Sequence, residues 1–201
     1  VIFDASSTGE SAFYNGNLWR CEGFKIIDVE AALQQSSNDL YRVNFHKCYI
    51  KNCADWYIDL SMIEASRYHD TSCIFENCRS TAPGSSHYAR SWQFSNCFFI
   101  DSTLPGYSVA GQLLSTNTRP HFIASCLFHN TLPANGVINY NRSTTATMIF
   151  TNNVFTNSAK AKFSNTGTVL SGSALFDLLT TTTSTTLINN TVVTTKKQSI
   201  F

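Results

Sequence analysis

The sequence predicts an all-β fold, a single-stranded right-handed parallel β-helix (a solenoid) of about seven rounds of 24–37 residues. Three observations predict it. A short phrase recurs along the chain, its copies are separated by a fairly regular interval, and the copies are rich in Phe, Ile, Val and Thr. Self-similarity at such a period indicates stacked repeats, and aromatic and β-branched residues favour strands over helices.

The repeated phrase begins with Cys or Asn and continues with apolar residues and Asn. Successive copies begin 25, 24, 29, 27 and 37 residues apart. The copies are residues 48–53, 73–78, 97–102, 126–131, 153–158 and a degenerate one at 190–192.

Stacked repeats place equivalent residues on top of each other at the strand spacing of about 4.8 Å, so seven rounds form a rod about 35 Å long. Phe98 and Leu127 are predicted to point away from the interior, because neighbouring residues of a strand face opposite sides. The predicted interior ladder consists of Phe75, Phe99, Phe128 and Phe155, with Cys48, Cys73, Cys97 and Cys126 in a second shared position.

A corner is predicted just before each phrase. Asn precedes the first residue of the phrase at Asn96, Asn152 and Asn189, and Asn tolerates the left-handed backbone conformation. The apolar residue three positions before the phrase then returns to the interior, and Asp70 alone breaks this pattern. The apolar members are Phe45, Phe94, Ile123, Phe150 and Leu187.

Further strands are predicted between the phrases, where apolar and polar residues alternate. These are residues 56–62, 107–114, 136–140 and 168–176, with turns at 81–86, 103–106 and 132–136. One segment, residues 28–35, is the only candidate for a short helix.

Composition restricts the partners. The chain of 201 residues carries 14 Lys and Arg against 13 Asp and Glu, and its mean hydropathy is -0.10. Because no basic cluster or long apolar run occurs, we expect no nucleic-acid partner and no membrane span in this segment. The chain starts with Val1 and ends at Phe201, and we expect residues 1–201 to be one β-helix segment of a longer chain, with the clearest repeats at 41–193.

The repeat resembles a known family. The segments Phe75-Glu-Asn77, Phe94-Ser-Asn96, Phe128-His-Asn130 and Phe155-Thr-Asn157 are similar to the β-helix repeats of polymorphic outer-membrane-type surface proteins of chlamydiae and protists. The family's Gly-Gly-Ala-Ile motif has loose counterparts at 135–138 and 171–175. The resemblance implies an extracellular or cell-surface location and an adhesive or structural role.

The cysteines suggest two chemistries. Cys48, Cys53, Cys73 and Cys78 form Cys-x4-Cys twice, which is close to a zinc spacing, but the first position changes to Asn in later copies. We therefore predict no metal and no cofactor. Cys53 and Cys78 share a position on adjacent rounds at a separation that permits a disulfide, and the odd total of seven cysteines leaves at least one unpaired.

Two sequons predict N-glycosylation at Asn141 and Asn189. A tyrosine row, Tyr57, Tyr88 and Tyr140, falls in the second-strand segments and is a candidate binding face for sugars or proteins.

An enzyme is an alternative interpretation, because parallel β-helices often act on polysaccharides. The best candidates are Asp55, Asp59 and Arg90. However, Asp55 and Asp59 would lie about 13 Å apart on a strand, which exceeds the carboxylate separations of glycosidases.

The preferred interpretation is a non-enzymatic structural or adhesive surface protein. Its expected partners are host or self surface glycans or proteins, with other copies or further segments of the same chain at the open ends. Two alternatives remain open, a polysaccharide-active lyase or hydrolase and a scaffold component of a larger filament assembly.

Overall fold

The chain folds as a series of short β-strands. The computed structural model describes residues 1–4, 12–14, 18–35, 42–53, 56–60, 66–78, 89–104, 121–130, 132–133, 138–139, 148–157, 163–164, 176–177 and 185–193. Within these ranges lie 23 strands and no helix. In chain order the strands are β1 (Ile2–Asp4), β2 (Phe13–Tyr14), β3 (Leu18–Glu22), β4 (Lys25–Ile27), β5 (Ala31–Gln35), β6 (Arg42–His46), β7 (Tyr49–Lys51), β8 (Trp56–Leu60), β9 (Ser66–Thr71), β10 (Ile74–Glu76), β11 (Ala89–Ser95), β12 (Phe98–Ile100), β13 (Thr103–Leu104), β14 (His121–Ala124), β15 (Leu127–His129), β16 (Leu132–Pro133), β17 (Ile138–Asn139), β18 (Met148–Thr151), β19 (Val154–Thr156), β20 (Phe163–Ser164), β21 (Phe176–Asp177), β22 (Thr185–Ile188) and β23 (Thr191–Val193).

Two large parallel sheets organise these strands. The eight-stranded sheet has the order β1-β4-β7-β10-β12-β15-β19-β23, and the seven-stranded sheet has the order β22-β18-β14-β11-β9-β6-β3. Each strand of the seven-stranded sheet is followed along the chain by a strand of the eight-stranded sheet, and such a pair defines one repeat. Three smaller parallel sheets are β2-β5-β8, β13-β16 and β17-β20-β21.

The predicted phenylalanine ladder is confirmed. In the eight-stranded sheet, Phe75 pairs with Phe99, Phe99 with Phe128, and Phe128 with Phe155. The ring centroids of successive members lie 4.9, 5.0 and 4.9 Å apart, with interplanar angles of 12°, 2° and 7°. All four side chains are buried, so like residues stack on like residues at the strand spacing.

The seven-stranded sheet supplies a second inward column. Its register pairs Phe94 with Asp70 and Ile123, and Phe150 with Ile123 and Leu187, as the sequence predicts. The two inward columns and the buried cysteines form a single hydrophobic cluster.

The first bend joins the two strands of a repeat, and its first residue has a positive φ in every described repeat. The backbone N–H of that residue donates to the next repeat at the equivalent bend, for example from Asn96 to the carbonyl of Ala124 at 3.0 Å. The predicted asparagine corner is confirmed, although other residue types also occupy it. Its members are Gly23, Lys47, Ser72, Asn96, Ser125, Asn152 and Asn189.

The second bend follows each three-residue strand of the eight-stranded sheet from β4 to β19, and it admits only Asp or Asn. Asn52 Nδ2 donates to Asp28 Oδ1 at 2.7 Å, Asn77 Nδ2 to Asn52 Oδ1 at 2.7 Å, and Asn130 Nδ2 to Asp101 Oδ1 at 2.6 Å. Short amide side chains both tolerate positive φ and bond to the next copy, which explains this composition. The members are Asp28, Asn52, Asn77, Asp101, Asn130 and Asn157.

The residue after the first bend occupies a buried donor position. From Cys48 onward its side chain donates to a backbone carbonyl. Cys97 Sγ reaches the Asp70 carbonyl of the preceding repeat at 3.4 Å, and Asn153 Nδ2 reaches the Ile123 carbonyl of the preceding repeat at 2.8 Å, whereas Cys126 Sγ donates to the Ala124 carbonyl of its own repeat at 3.3 Å. A thiol and an amide can both supply this hydrogen bond. The change from Cys to Asn along the series therefore preserves a donor.

The predicted short helix at residues 28–35 is wrong. Residues Ala31–Gln35 form β5, which pairs in parallel with β2 and β8. Pairing with neighbouring strands outweighs the high helix propensity of Ala, Leu and Gln, because propensity differences amount to less than about 1 kcal/mol per residue. Of the predicted second strands, β8 lies within 56–62 and β17 within 136–140, whereas β21 overlaps 168–176 only at Phe176 and residues 107–114 lie outside the described part.

Candidate functional site

The outer face of the eight-stranded sheet presents two columns of side chains. Each strand has three residues, of which the middle one points inward and the flanking two point outward, as the burial patterns of β7, β10, β15 and β19 show. One outer column is Ile2, Lys25, Tyr49, Ile74, Phe98, Leu127, Val154 and Thr191, and the other is Asp4, Ile27, Lys51, Glu76, Ile100, His129, Thr156 and Val193.

A polar cluster lies on this face where β4, β7 and β10 meet. Lys51 Nζ donates to Glu76 Oε1 at 2.7 Å, and the Tyr49 hydroxyl donates to Glu76 Oε2. Lys25 Nζ lies 5.8 Å from the centre of the Tyr49 ring. The cluster, defined as Lys25, Tyr49, Lys51 and Glu76, therefore links three successive repeats from the outside.

Electrostatics keep the cluster charged at neutral pH. Hydrogen bonding to Lys51, and then to Tyr49, lowers the pKa of Glu76. Burial and the bond to Glu76 raise the pKa of Tyr49, and the bond to Glu76 raises the pKa of Lys51. A phenol that donates to a carboxylate stays protonated, so Tyr49 is not an activated nucleophile. The cluster holds its three repeats together through hydrogen bonds and charge.

An apolar strip continues from the cluster along the stack. Phe98 is 43% exposed, although its neighbour Phe99 is 1% exposed. The strip follows one outer column, from Ile74 to Val154, and only Ile100 belongs to the other column. Its members are Ile74, Phe98, Ile100, Leu127 and Val154, all exposed or half-buried.

Beside the strip, the other outer column is polar on β15 and β19. His129 Nδ1 and Thr156 Oγ1 lie 2.7 Å apart and share a hydrogen bond between β15 and β19. Across the described ranges, no three His, Cys, Asp or Glu side chains are grouped so as to hold a metal ion.

All seven cysteines are buried thiols, and none of them forms a disulfide in this structure. Burial raises the pKa of Cys21 to about 12, and hydrogen bonding to the next thiol raises the pKa of Cys48 and Cys97 further. Thiols with raised pKa values are poor nucleophiles. Cys48 and Cys97 are consequently core residues with donor roles, whereas the hydrogen bond with Cys97 lowers the pKa of Cys126.

Cys53 and Cys78 are adjacent in the stack, as predicted. A side-chain hydrogen bond with Cys78, together with burial, raises the pKa of Cys53. Both are thiols in this structure, and the disulfide between them stays a prediction.

Most of the other predicted site residues fall where side chains are not described. Asp55, Tyr88, Tyr140 and Asn141 lie outside the described residues. Tyr57 and Asp59 belong to β8 and Arg90 belongs to β11, but only their backbones are described. The roles assigned to all of these residues stay predictions.

Asn189 is described. It lies at a first bend with φ 51° and an exposed side chain, followed by Asn190, whose Nδ2 donates to the carbonyl of Phe150 at 2.9 Å. A glycan on Asn189 would extend into solvent without disturbing the core, and its presence stays a prediction.

The polar cluster was missed by the sequence reasoning. A signal did exist, because Lys51 and Glu76 occupy the same position of the repeated phrase, 25 residues apart and with opposite charges. Stacking makes such a pair adjacent.

Comparison with known proteins leaves the chain without an assigned family. A scan of protein-family models, a search of curated proteins and a search of solved structures each found no match. In the described part of the chain, no helix has the length and hydropathy needed to cross a membrane.

Proposed function

We propose that the chain is a non-enzymatic structural or adhesive surface protein that binds glycan or protein partners through the outer face of its eight-stranded sheet. The carrying observation is the exposed apolar strip beside the polar cluster on a face whose backbone is held in register. We further propose that the stacked repeats close into a right-handed parallel β-helix and that the chain belongs with polymorphic outer-membrane-type repeat proteins at the cell surface.

Register supports this role. Each repeat packs on its neighbours, so outward side chains keep fixed positions on a rigid surface. Exposed apolar side chains grouped together mark interaction sites in soluble proteins more often than scattered ones do. Phe98 combines a large apolar area with exposure, which suits stacking against a sugar ring or a protein side chain.

Binding assays with matched variants test the proposal. Purified chain is applied to a glycan array and to intact cells, and Phe98→Ser is compared with Phe122→Ser, because Phe122 is a half-buried residue on the outward side of the seven-stranded sheet. We expect Phe98→Ser to weaken binding at least about tenfold, a loss of about 1.4 kcal/mol, and Phe122→Ser to leave it unchanged. Equal binding by both variants, with both still folded, contradicts the proposed face.

A further inference from the structure

Asp70 is a carboxylic acid inside the core. It lies on β9 in the inward column of the seven-stranded sheet, between Phe45 and Phe94, and it is 0% exposed. The residues that share its column are otherwise apolar: Cys21, Phe45, Phe94, Ile123, Phe150 and Leu187.

The two oxygens of Asp70 have different surroundings. Oδ1 accepts a hydrogen bond from the backbone N–H of Phe45 at 3.1 Å, and the pairing of β6 with β9 skips Asn44 and Phe45. Oδ2 has no hydrogen-bond partner within the described residues. A buried carboxylate needs donors to both oxygens, so this environment favours the neutral acid.

The titratable groups that face Asp70 are thiols. Cys21 lies on β3. Cys48, Cys73 and Cys97 lie two residues after the ends of β6, β9 and β11, and Cys126 lies one repeat further. His46 and His69 lie on the outward side of the same strands. Within the described residues, the groups that interact electrostatically with Asp70 are therefore thiols, and the pKa values of the four nearest, Cys21, Cys48, Cys73 and Cys97, are raised.

The outer face of the same two repeats carries the polar cluster. Tyr49 and Lys51 on β7 both bond to Glu76 on β10, and these strands continue directly from β6 and β9. At this junction between repeats, Asp70 on the inside favours the protonated form, whereas Glu76 on the outside must be ionised to hold Lys51.

We propose that the junction between the repeat of β6 and β7 and the repeat of β9 and β10 is a proton-controlled opening point of the stack. The two repeats stay packed while Asp70 is neutral and Glu76 is ionised, and they separate when Asp70 ionises. This inference does not depend on the proposed binding function.

The direction of the pH effect follows from proton linkage. Burial raises the pKa of Asp70 to about 8, whereas an exposed Asp has a pKa of about 3.9. Between these values the packed junction holds one proton more than the open one, so its opening constant rises about tenfold per pH unit. Because the pKa of Glu76 is lowered, the contribution of the outer cluster is lost only as pH falls through that lower range. The junction is tightest in mildly acidic solution.

Thiol labelling of the full chain tests the proposal. Modification of each cysteine is followed by mass spectrometry at about pH 6 and about pH 9 in the unaltered chain and in Asp70→Asn, which keeps the shape of the side chain but cannot ionise. At the higher pH we expect Cys48 and Cys73 to react at least about tenfold faster in the unaltered chain than in Asp70→Asn. Rates at Cys126 are expected to agree between the two proteins at both pH values.

The proposal is overturned if Cys48 and Cys73 react at the same rates in the unaltered chain and in Asp70→Asn at the higher pH. It is also overturned if Cys126 is accelerated as much as Cys48 and Cys73, because that would indicate general unfolding. Asp101→Asn serves as the control, because Asp101 is an exposed Asp on the second bend, and labelling of Cys48 and Cys73 should accelerate with pH by the same factor as in the unaltered chain.

Infrared spectroscopy provides a test that needs no variant to fold. A protonated carboxylic acid band should persist in the unaltered chain at about pH 6, well above the ordinary Asp range, and disappear by about pH 10. Absence of the band at pH 6 overturns the proposal.

Discussion

The inner and outer faces of the eight-stranded sheet share one backbone and one register, yet they differ completely in side-chain variability. The inner face stacks Phe75, Phe99, Phe128 and Phe155 as nearly parallel rings. The outer face changes from Lys25 through apolar residues to Thr191. An inward side chain must fit its own copies above and below, whereas an outward side chain has only to remain compatible with solvent. The core contribution of each strand therefore comes from one residue in three, and the other two can vary between repeats to form surface features such as the polar cluster and the apolar strip.

The largest difference between the two faces is expected for the adjacent residues Phe98 and Phe99. Phe99→Ala removes a buried ring from the middle of the ladder and should lower the free energy of unfolding by about 3–5 kcal/mol. Phe98→Ala, one residue earlier and on the outer face, should lower it by less than about 1 kcal/mol. Urea unfolding of both variants measures the difference, and similar losses would contradict the assignment of the two faces.

The buried donor position should show the next largest effect. Asn153→Ala leaves the backbone N–H of Cys126 and the carbonyl of Ile123 without the bonds they make to Asn153, at a cost of about 2–4 kcal/mol. Asn153→Cys, which installs the residue used at this position in earlier repeats, should lose about half as much because the thiol is only a weak donor. Thermal and urea unfolding compare the two variants, and an equal loss would show that the position does not require a donor.

The smallest effect is expected at the second bend. Asp101 accepts a bond from Asn130 but has no N–H to donate toward Asn77. Asp101→Asn adds an amide that continues the ladder and should raise the free energy of unfolding by about 0.5–1 kcal/mol. Denaturant midpoints at fixed pH measure the gain. A loss of stability would show that the carboxylate, and not the ladder geometry, stabilises this bend.

The interior was predictable from sequence because stacking requires a similar side chain at the equivalent position of each repeat. The phrase positions placed Phe75, Phe99, Phe128 and Phe155 in one column, and the residue before each phrase marked the first bend. Asp70 could be recognised as an exception to an apolar series. Its partnership with the Phe45 N–H could not, since it depends on how β6 and β9 are paired.

The outer face was harder to predict because nothing in the stack requires its residues to repeat. Tyr49, Lys51 and Glu76 come together only through parallel register across about one repeat, and the apolar and polar alternation of residues 56–62 drew attention to Tyr57 instead. The segment 28–35 was misread as a helix because local propensity was considered without the strands beside it.

The ladder hydrogen bonds of both large sheets run along the stacking direction. Tension along the stacking direction would act on all the hydrogen bonds between two adjacent repeats at once. A force applied sideways to one strand would break those bonds one after another. If the chain acts as the proposed surface protein, the weakest interface between two repeats would set the breaking force of the whole stack under tension, and additional repeats would not raise that force.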